Sequence, residues 1–270
     1  MTSAVSRRWL RRSILVFAAI APLWTIIFFR VNLVAALAPL FVSHLLLLYP
    51  TLVPQSQWWG PVQRLFATSR REVWITIDDG PTPAHTEKIL DLLERYKARA
   101  TFFVIGSRAL KFPHLLEQIL TRGHQVANHT FTHPSGTFWC ASPSKIASEI
   151  DRCDATISQE GESRGVLFRA PAGLKNPFVH PVLARRGMKL VGWSARGFDT
   201  SRCDPGQVAE RILRRARPGA IVLLHEGHRV ESDPNYNPAC VERTLKLLAE
   251  FGYEFVIPKP EQLRAHVAGK

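Results

Sequence analysis

Two kinds of apolar pattern divide this chain. Over residues 13–29 and 31–49, 17 and 19 consecutive positions carry no Asp, Glu, Lys or Arg, and only Arg30 stands between the two runs. Neither run has a polar face, and each is near the ~17–25 residues that a helix needs to cross the hydrocarbon of a bilayer. From residue 72 the pattern changes. Short β-branched or aromatic runs at 72–79, 100–106, 125–129, 165–170, 189–195, 220–226 and 254–258 alternate with stretches of helical spacing such as HTEKILDLLERYKA and DPGQVAERILRRA. Strands alternating with amphipathic helices predict a parallel sheet. Seven such units in about 200 residues predict a seven-stranded (β/α) barrel, complete or incomplete. An open dinucleotide-binding sheet is disfavoured, because no GxGxxG follows the first strand.

Charge separates the same two regions. Eight of the 35 basic residues and none of the 22 acidic ones fall before residue 72, so 8 of the net +13 lies in the first quarter of the chain. These arginines flank apolar runs and do not interleave with exposed aromatics, which argues for membrane orientation and against a nucleic-acid partner. A cleaved signal peptide is the rival reading. Its best small-residue site, ALA at 36–38, is followed by Pro39, and the apolar run continues to Tyr49. The chain is therefore read as a membrane anchor over 1–50 with one or two spans, a linker over 51–71 rich in Pro, Gln and Trp, and a catalytic domain over 72–270.

Four arginines before Ser13 favour a cytoplasmic amino terminus, and Arg64, Arg70 and Arg71 just beyond the second run favour a hairpin. The expectation is an inner-membrane protein whose catalytic domain faces the cytoplasm. Pro22, Pro39, Trp58 and Trp59 leave an interfacial arrangement, with a periplasmic domain, as the alternative. Cys140, Cys153, Cys203 and Cys240 form neither a CxxC pair nor a zinc-ribbon pattern and read as free thiols.

Polar residues collect at the ends of the expected strands, where a barrel carries its chemistry. In order they are Asp78 and Asp79, His129 and His133 in NHTFTH, Arg169 in RAPAG, Asp199 after WSARGFD, and His225 in LLHEG. Two histidines four apart present their rings from one side of a helical turn. With a carboxylate from a neighbouring strand they make three N/O ligands and an open position, the donor count of a catalytic zinc site. Strand alternation sends the two adjacent aspartates to opposite sides, one for metal and one for protons. A helix cap or Asx turn before Gly80-Pro81 would need only one carboxylate.

These motifs, in this order, resemble the polysaccharide deacetylase family, the carbohydrate esterases of group 4 with a NodB homology domain. TIDDGP stands where that family has TFDDGP, HTFTH where it has H[ST]xxH, RAPAG where it has RxPxG, and LLHEG where it has LxH. The resemblance runs from 72 to about 258 and implies a distorted (β/α) barrel of the NodB homology type and metal-dependent removal of N-acetyl groups from amino sugars. It implies Asp79, His129 and His133 as metal ligands, zinc being the ion the ligand types suit. It further implies Asp78 as general base, Arg169 as its brace, His225 as general acid and Asp199 as the partner of His225. Pro171, Trp193 and Leu223 are the substrate-binding candidates. Glu226, His228, Lys175 and Asn176 receive no role.

The fourth motif departs from the family's DxxDW, with Arg196 for the first acid and Thr200 for the tryptophan. That puts the fit of the acyl group in question and makes Trp193 or Trp139 the candidate replacement wall. The expected partner is an N-acyl amino-sugar glycan or a lipid-linked saccharide at the membrane, with no nucleic acid. The alternatives are a deformylase of a polyprenyl-phosphate-linked formamido sugar and a membrane-tethered glycan-binding pseudoenzyme. Loss of Asp78, a metal ligand or His225 would support the pseudoenzyme, and all are present.

Overall fold

A computed structural model of the chain describes residues 4–158, 166–201, 203–227 and 232–263. The two apolar runs are helices, α1 (Ala4–Phe28) and α2 (Leu33–Leu52). The short connection between them is set by Asn32, whose side chain caps α2 by accepting from the Ala35 N–H at 3.0 Å. The helices return along each other. Trp24 Nε1 donates to the Ala35 carbonyl at 3.1 Å and Thr25 Oγ1 to that of Ala36 at 2.8 Å. Their outer faces are bare apolar side chains, with Ile26 74% and Val34 78% exposed. In water such a surface would be costly, and a bilayer removes that cost.

The rest of the described chain is a curled parallel sheet with helices outside it. After β1 (Glu72–Asp78) come α3 (Thr86–Arg95), β2 (Ala100–Val104), α4 (Gly106–Lys111), α5 (Pro113–Thr121), β3 (Gln125–Asn128) and α6 (Pro143–Ser158). There follow β4 (Leu167–Phe168), α7 (Val179–Ala184), β5 (Lys189–Leu190), β6 (Ala195–Arg196), α8 (Pro205–Leu213), β7 (Ala220–His225), α9 (Tyr236–Glu250) and β8 (Glu254–Phe255). Seven strands lie in the order β5-β4-β3-β2-β1-β7-β6, and β8 pairs with the start of β1. This is the distorted barrel the sequence predicts.

The two faces of β1 have different company, as period-2 alternation requires. Val73, Ile75 and Ile77 pack under the helices with Leu93, Phe102 and Leu245. Trp74 points inward with Phe103, Ala127, Leu167 and Ile221. Thr76 and Asp78 share that inward face, so β1 ends with a carboxylate at the carboxyl rim of the interior.

The single strand expected over 189–195 is two short ones, and the reason lies in its middle. The carbonyls of Val191 and Gly192 accept from the buried Arg169 guanidinium, and the Gly192 N–H donates to the Gln63 carbonyl at 2.8 Å. Those groups cannot also join a ladder. The segment over 51–71 fills this seam: Gln63 bridges Val191, Leu65 bridges Ala220, and Trp59 and Phe66 are buried.

Candidate active site

Each polar side chain at the rim is aimed by a local backbone device. Asp78, the last residue of β1, is paired in register with His225, the last of β7, which sets the two side by side on the inward face. Asp79 follows with φ 72°, in the left-handed region that a non-glycine residue adopts only under local constraint. That turn overrides simple alternation. Both aspartates face the same cluster, with His129 Nε2 at 3.7 Å from Asp78 Oδ2 and 3.4 Å from Asp79 Oδ1. The expectation of carboxylates on opposite sides is corrected here.

The helical turn expected for HTFTH is corrected as well. Residues 129–133 form an irregular loop in which Thr130 (φ 69°) and His133 (φ 53°) are left-handed. The loop is pinned from below. The Glu149 carboxylate, buried on α6, accepts from the Phe131 and Thr132 N–H groups at 3.0 and 2.8 Å and from Thr132 Oγ1 at 2.9 Å. Asn128 Oδ1 takes the Thr130 N–H, and Thr130 Oγ1 takes that of His133. The two rings then sit 4.8 Å apart, with His133 Nε2 at 3.2 Å from Asp79 Oδ1.

Asp79, His129 and His133 offer ligand atoms that all lie within 4.8 Å of one another. The His129 Nδ1–H bonds the Arg169 carbonyl at 2.8 Å, which leaves Nε2 to present its lone pair to the cluster. At the tetrahedral angle, neighbouring donors on a sphere of about 2.0–2.2 Å radius lie roughly 3.3–3.6 Å apart. The separations of 3.4 and 3.2 Å to Asp79 Oδ1 are of that size, so these residues fit a small divalent cation. Charge in the cluster without a cation is uneven. Burial works against protonation of His129, but Asp78 and Asp79 outweigh it and raise its pKa. Burial and the neighbouring His129 lower that of His133 to about 4.

Arg169 stands behind Asp78. One of its terminal nitrogens donates to Asp78 Oδ1 at 2.6 Å and to Thr76 Oγ1 at 2.8 Å, and its guanidinium lies 4.1 Å over the Phe103 ring. Asp78 and Arg169 are 3% and 1% exposed, so this ion pair is locked inside the barrel mouth. Asp199 clamps His225 twice, accepting from its backbone N–H at 2.6 Å and meeting Nδ1 at 2.9 Å. The left-handed Phe198 (φ 64°) reverses the chain there, so that Phe198 faces solvent and Asp199 is buried. Burial disfavours a charged His225, yet the Asp199 carboxylate, aided by Asp78 and Asp79, carries its pKa up to about 9.

The substrate-binding candidates fall in different places. Pro171 is buried in a 3-10 turn, Pro171–Gly173, on the rim. Trp193 lines the neighbouring position, close enough that a Cβ on Gly173 would fall 2.6 Å from its ring. Leu223 is buried on the inward face one residue pair below His225. Thr200 is half-buried beside Asp199, while the Arg196 guanidinium lies near the Trp193 and Phe198 rings.

Lys175 is structural, its Nζ donating to the carbonyls of Val53 and Pro54 at the end of α2. Asn176 donates to the Ala141 carbonyl. His228 lies outside the described residues. Glu226, which receives no role from the sequence, is built into the site. It is fully buried against Gly80 and accepts from Thr86 Oγ1 at 2.6 Å, and burial pushes its carboxyl up to about 7. It tethers the turn that leaves β1 just after the two aspartates.

Comparison with known proteins places this geometry. The polysaccharide deacetylase family model matches residues 67–191, beginning beyond both apolar helices. The peptidoglycan-N-acetylglucosamine deacetylase of Bacillus cereus is 35% identical over 185 residues, covering 67% of this chain and 84% of that protein. A chitooligosaccharide deacetylase of a Bradyrhizobium species is 33% identical over 189 residues, 70% of this chain and 84% of its own. The solved structure of peptidoglycan deacetylase PdaC from Bacillus subtilis superposes with a TM-score of 0.62 at 29% identity, covering 72% of this chain and 90% of that one.

Proposed function

The chain belongs to the polysaccharide deacetylase family, hydrolases of the N-acetyl groups of amino sugars, and on that premise we propose that it deacetylates an amino sugar of a membrane-proximal glycan or lipid-linked saccharide. The observation that carries the reading is convergence. Asp78, Asp79, His129, His133 and His225 come from positions nearly 150 residues apart and face one another at a single rim.

Asp79, His129 and His133 would hold a divalent ion, with zinc favoured by two imidazoles and one carboxylate. When bound, such an ion supplies Lewis-acid polarisation of the amide oxygen and a hydroxide-like nucleophile at neutral pH. Asp78 takes the proton of the attacking water. Arg169 holds its Oδ1, so that Oδ2 is left facing the cluster. His225 is a proton donor through Nε2, because Nδ1 is committed to Asp199. It passes that proton to the nitrogen as the carbon–nitrogen bond breaks, which lets acetate and a free amine separate. Arg169 and Asp199 act through their partners, as positioning residues.

The membrane assignment rests on where the hairpin meets the domain. The end of α2 touches Lys175, and the Pro54 ring packs at Gly173 on the same turn as Pro171. The start of α1 reaches the same region through Arg11 and the Pro177 carbonyl. A site whose rim adjoins the exit of a membrane hairpin suits a substrate held near the bilayer. With the basic flanks, this arrangement favours an inner-membrane protein whose domain faces the cytoplasm.

The experiment is to incubate the purified chain with N-acetylated chitooligosaccharides, peptidoglycan fragments and polyprenyl-linked N-acetylated saccharides, and to follow acetate release and product mass. Loss of an acetyl mass from the lipid-linked or membrane-proximal substrate supports the reading. No acetate from any of them, in protein carrying metal, contradicts it.

A further inference from the structure

We infer that the cleft between the start of α1 and the α7–β5 edge of the sheet is a binding site for the phosphate headgroup of an anionic membrane lipid. The cleft is a cavity of about 530 Å³ on the flank of the barrel. Arg7, Arg8, Arg11 and Arg12 line it from α1, and Lys189 lines it from β5, while no acidic side chain is among its lining residues. Arg7 and Arg11 are one helical turn apart, as are Arg8 and Arg12. Like charges at that spacing destabilise a helix unless an anion lies between them. Guanidinium groups also suit phosphate oxygens, which they can grip with two N–H groups at once.

The remainder of the wall is apolar and includes Trp59, Met188 and Leu190. A free inorganic anion has no use for such a wall, whereas the glycerol and first methylenes of a lipid do. Position selects the same ligand. Arg12 is followed directly by the apolar run that starts at residue 13, and Trp9, an interfacial residue type, is 63% exposed beside it. The cationic mouth of the cleft therefore lies where headgroups lie if residues 13–49 are in the bilayer. The inference rests on that membrane reading. It adds a second contact with the bilayer that would hold the domain, and hence its rim, against the surface.

The test uses the full chain, purified in neutral detergent and transferred to nanodiscs of phosphatidylcholine alone or with phosphatidylglycerol. Retained lipid is identified by native mass spectrometry after release. Wild type is expected to enter both discs and to carry phosphatidylglycerol out in preference to phosphatidylcholine. Neutralising one cationic side chain should weaken retention by roughly five-fold, and the reversal Lys189→Glu by more. Lys189→Arg should retain the lipid, and so should Lys246→Glu on the far helix α9. Arg8→Gln, at an exposed position, provides a second reading should Lys189→Glu melt at a lower temperature than wild type.

Failure to enter phosphatidylcholine discs overturns the membrane reading and this inference with it. Entry without preference for phosphatidylglycerol, or equal retention in Lys189→Glu, Arg8→Gln and Lys246→Glu, overturns the inference alone. Displacement of the lipid by millimolar inorganic phosphate would make the cleft a small-anion site, and the lipid assignment would be wrong.

Discussion

His225 is held at its ring and at its backbone by the same carboxylate, and that double clamp makes its proton the most accessible prediction at the scale of single residues. The folded pKa is raised to about 9, so the imidazolium is present at neutral pH and is lost as pH rises through the folded value. In its proposed role as general acid His225 must be protonated, so activity should fall on the alkaline side. A cation held at Asp79 would offset part of the carboxylate field and move the limb below that value. Asp199→Asn removes the main raising charge. Its kcat should drop and its alkaline limb should move toward lower pH in a kcat–pH profile. A profile that falls in height with the limb unmoved would mean that Asp199 serves the fold alone. The residues of this site were legible in the sequence because charged and imidazole side chains at the ends of apolar runs have few other uses. Glu226 and Glu149 were not legible. One follows a motif histidine, the other sits in an amphipathic helix, and at both places an acid reads as surface charge.

At the scale of elements, sequence periodicity predicts the alternation of strands and helices but not the places where the backbone breaks period. Asp79, Thr130 and His133 are left-handed, and neither strand alternation nor helical spacing anticipates that. Strand 189–195 divides because a side chain from elsewhere, Arg169, captures its carbonyls. The support of the HTFTH loop is the testable consequence. Glu149 satisfies the buried Phe131 N–H, the part-buried Thr132 N–H and the Thr132 hydroxyl, and is itself paired with Lys145 at 2.8 Å. Burial alone would raise its carboxyl, but Lys145 and the Thr132 groups more than offset this and lower it. In Glu149→Ala the orphaned, buried Phe131 N–H costs about 1–3 kcal/mol, and the loop that carries His133 loosens. Metal affinity, measured by chelator competition, should fall roughly 10- to 100-fold, alongside a lower urea midpoint. Unchanged affinity with the stability loss alone would show that the loop keeps its shape without Glu149.

For the whole molecule, the hairpin fixes a relation that composition alone left open. The start of α1 and the end of α2 both meet the domain around residues 173–177, so, on the proposed reading of the two helices as a membrane hairpin, the amino terminus and the domain belong on one side of the bilayer. A tag before residue 4 and a reporter after Lys270 should therefore show the same accessibility in intact cells, both cytoplasmic. Alkaline phosphatase activity at the carboxyl terminus would refute the hairpin topology.

The proposed division of labour between the two aspartates is tested most directly by one paired measurement: metal content beside acetate release for wild type, Asp78→Asn, His129→Ala and His133→Ala. Asp78→Asn should keep its metal and lose turnover by at least the ~10²–10⁴-fold that a general base contributes, while either histidine variant should lose both together. An Asp78→Asn protein that lost its metal, or one that kept full turnover with metal in place, would contradict the assignment.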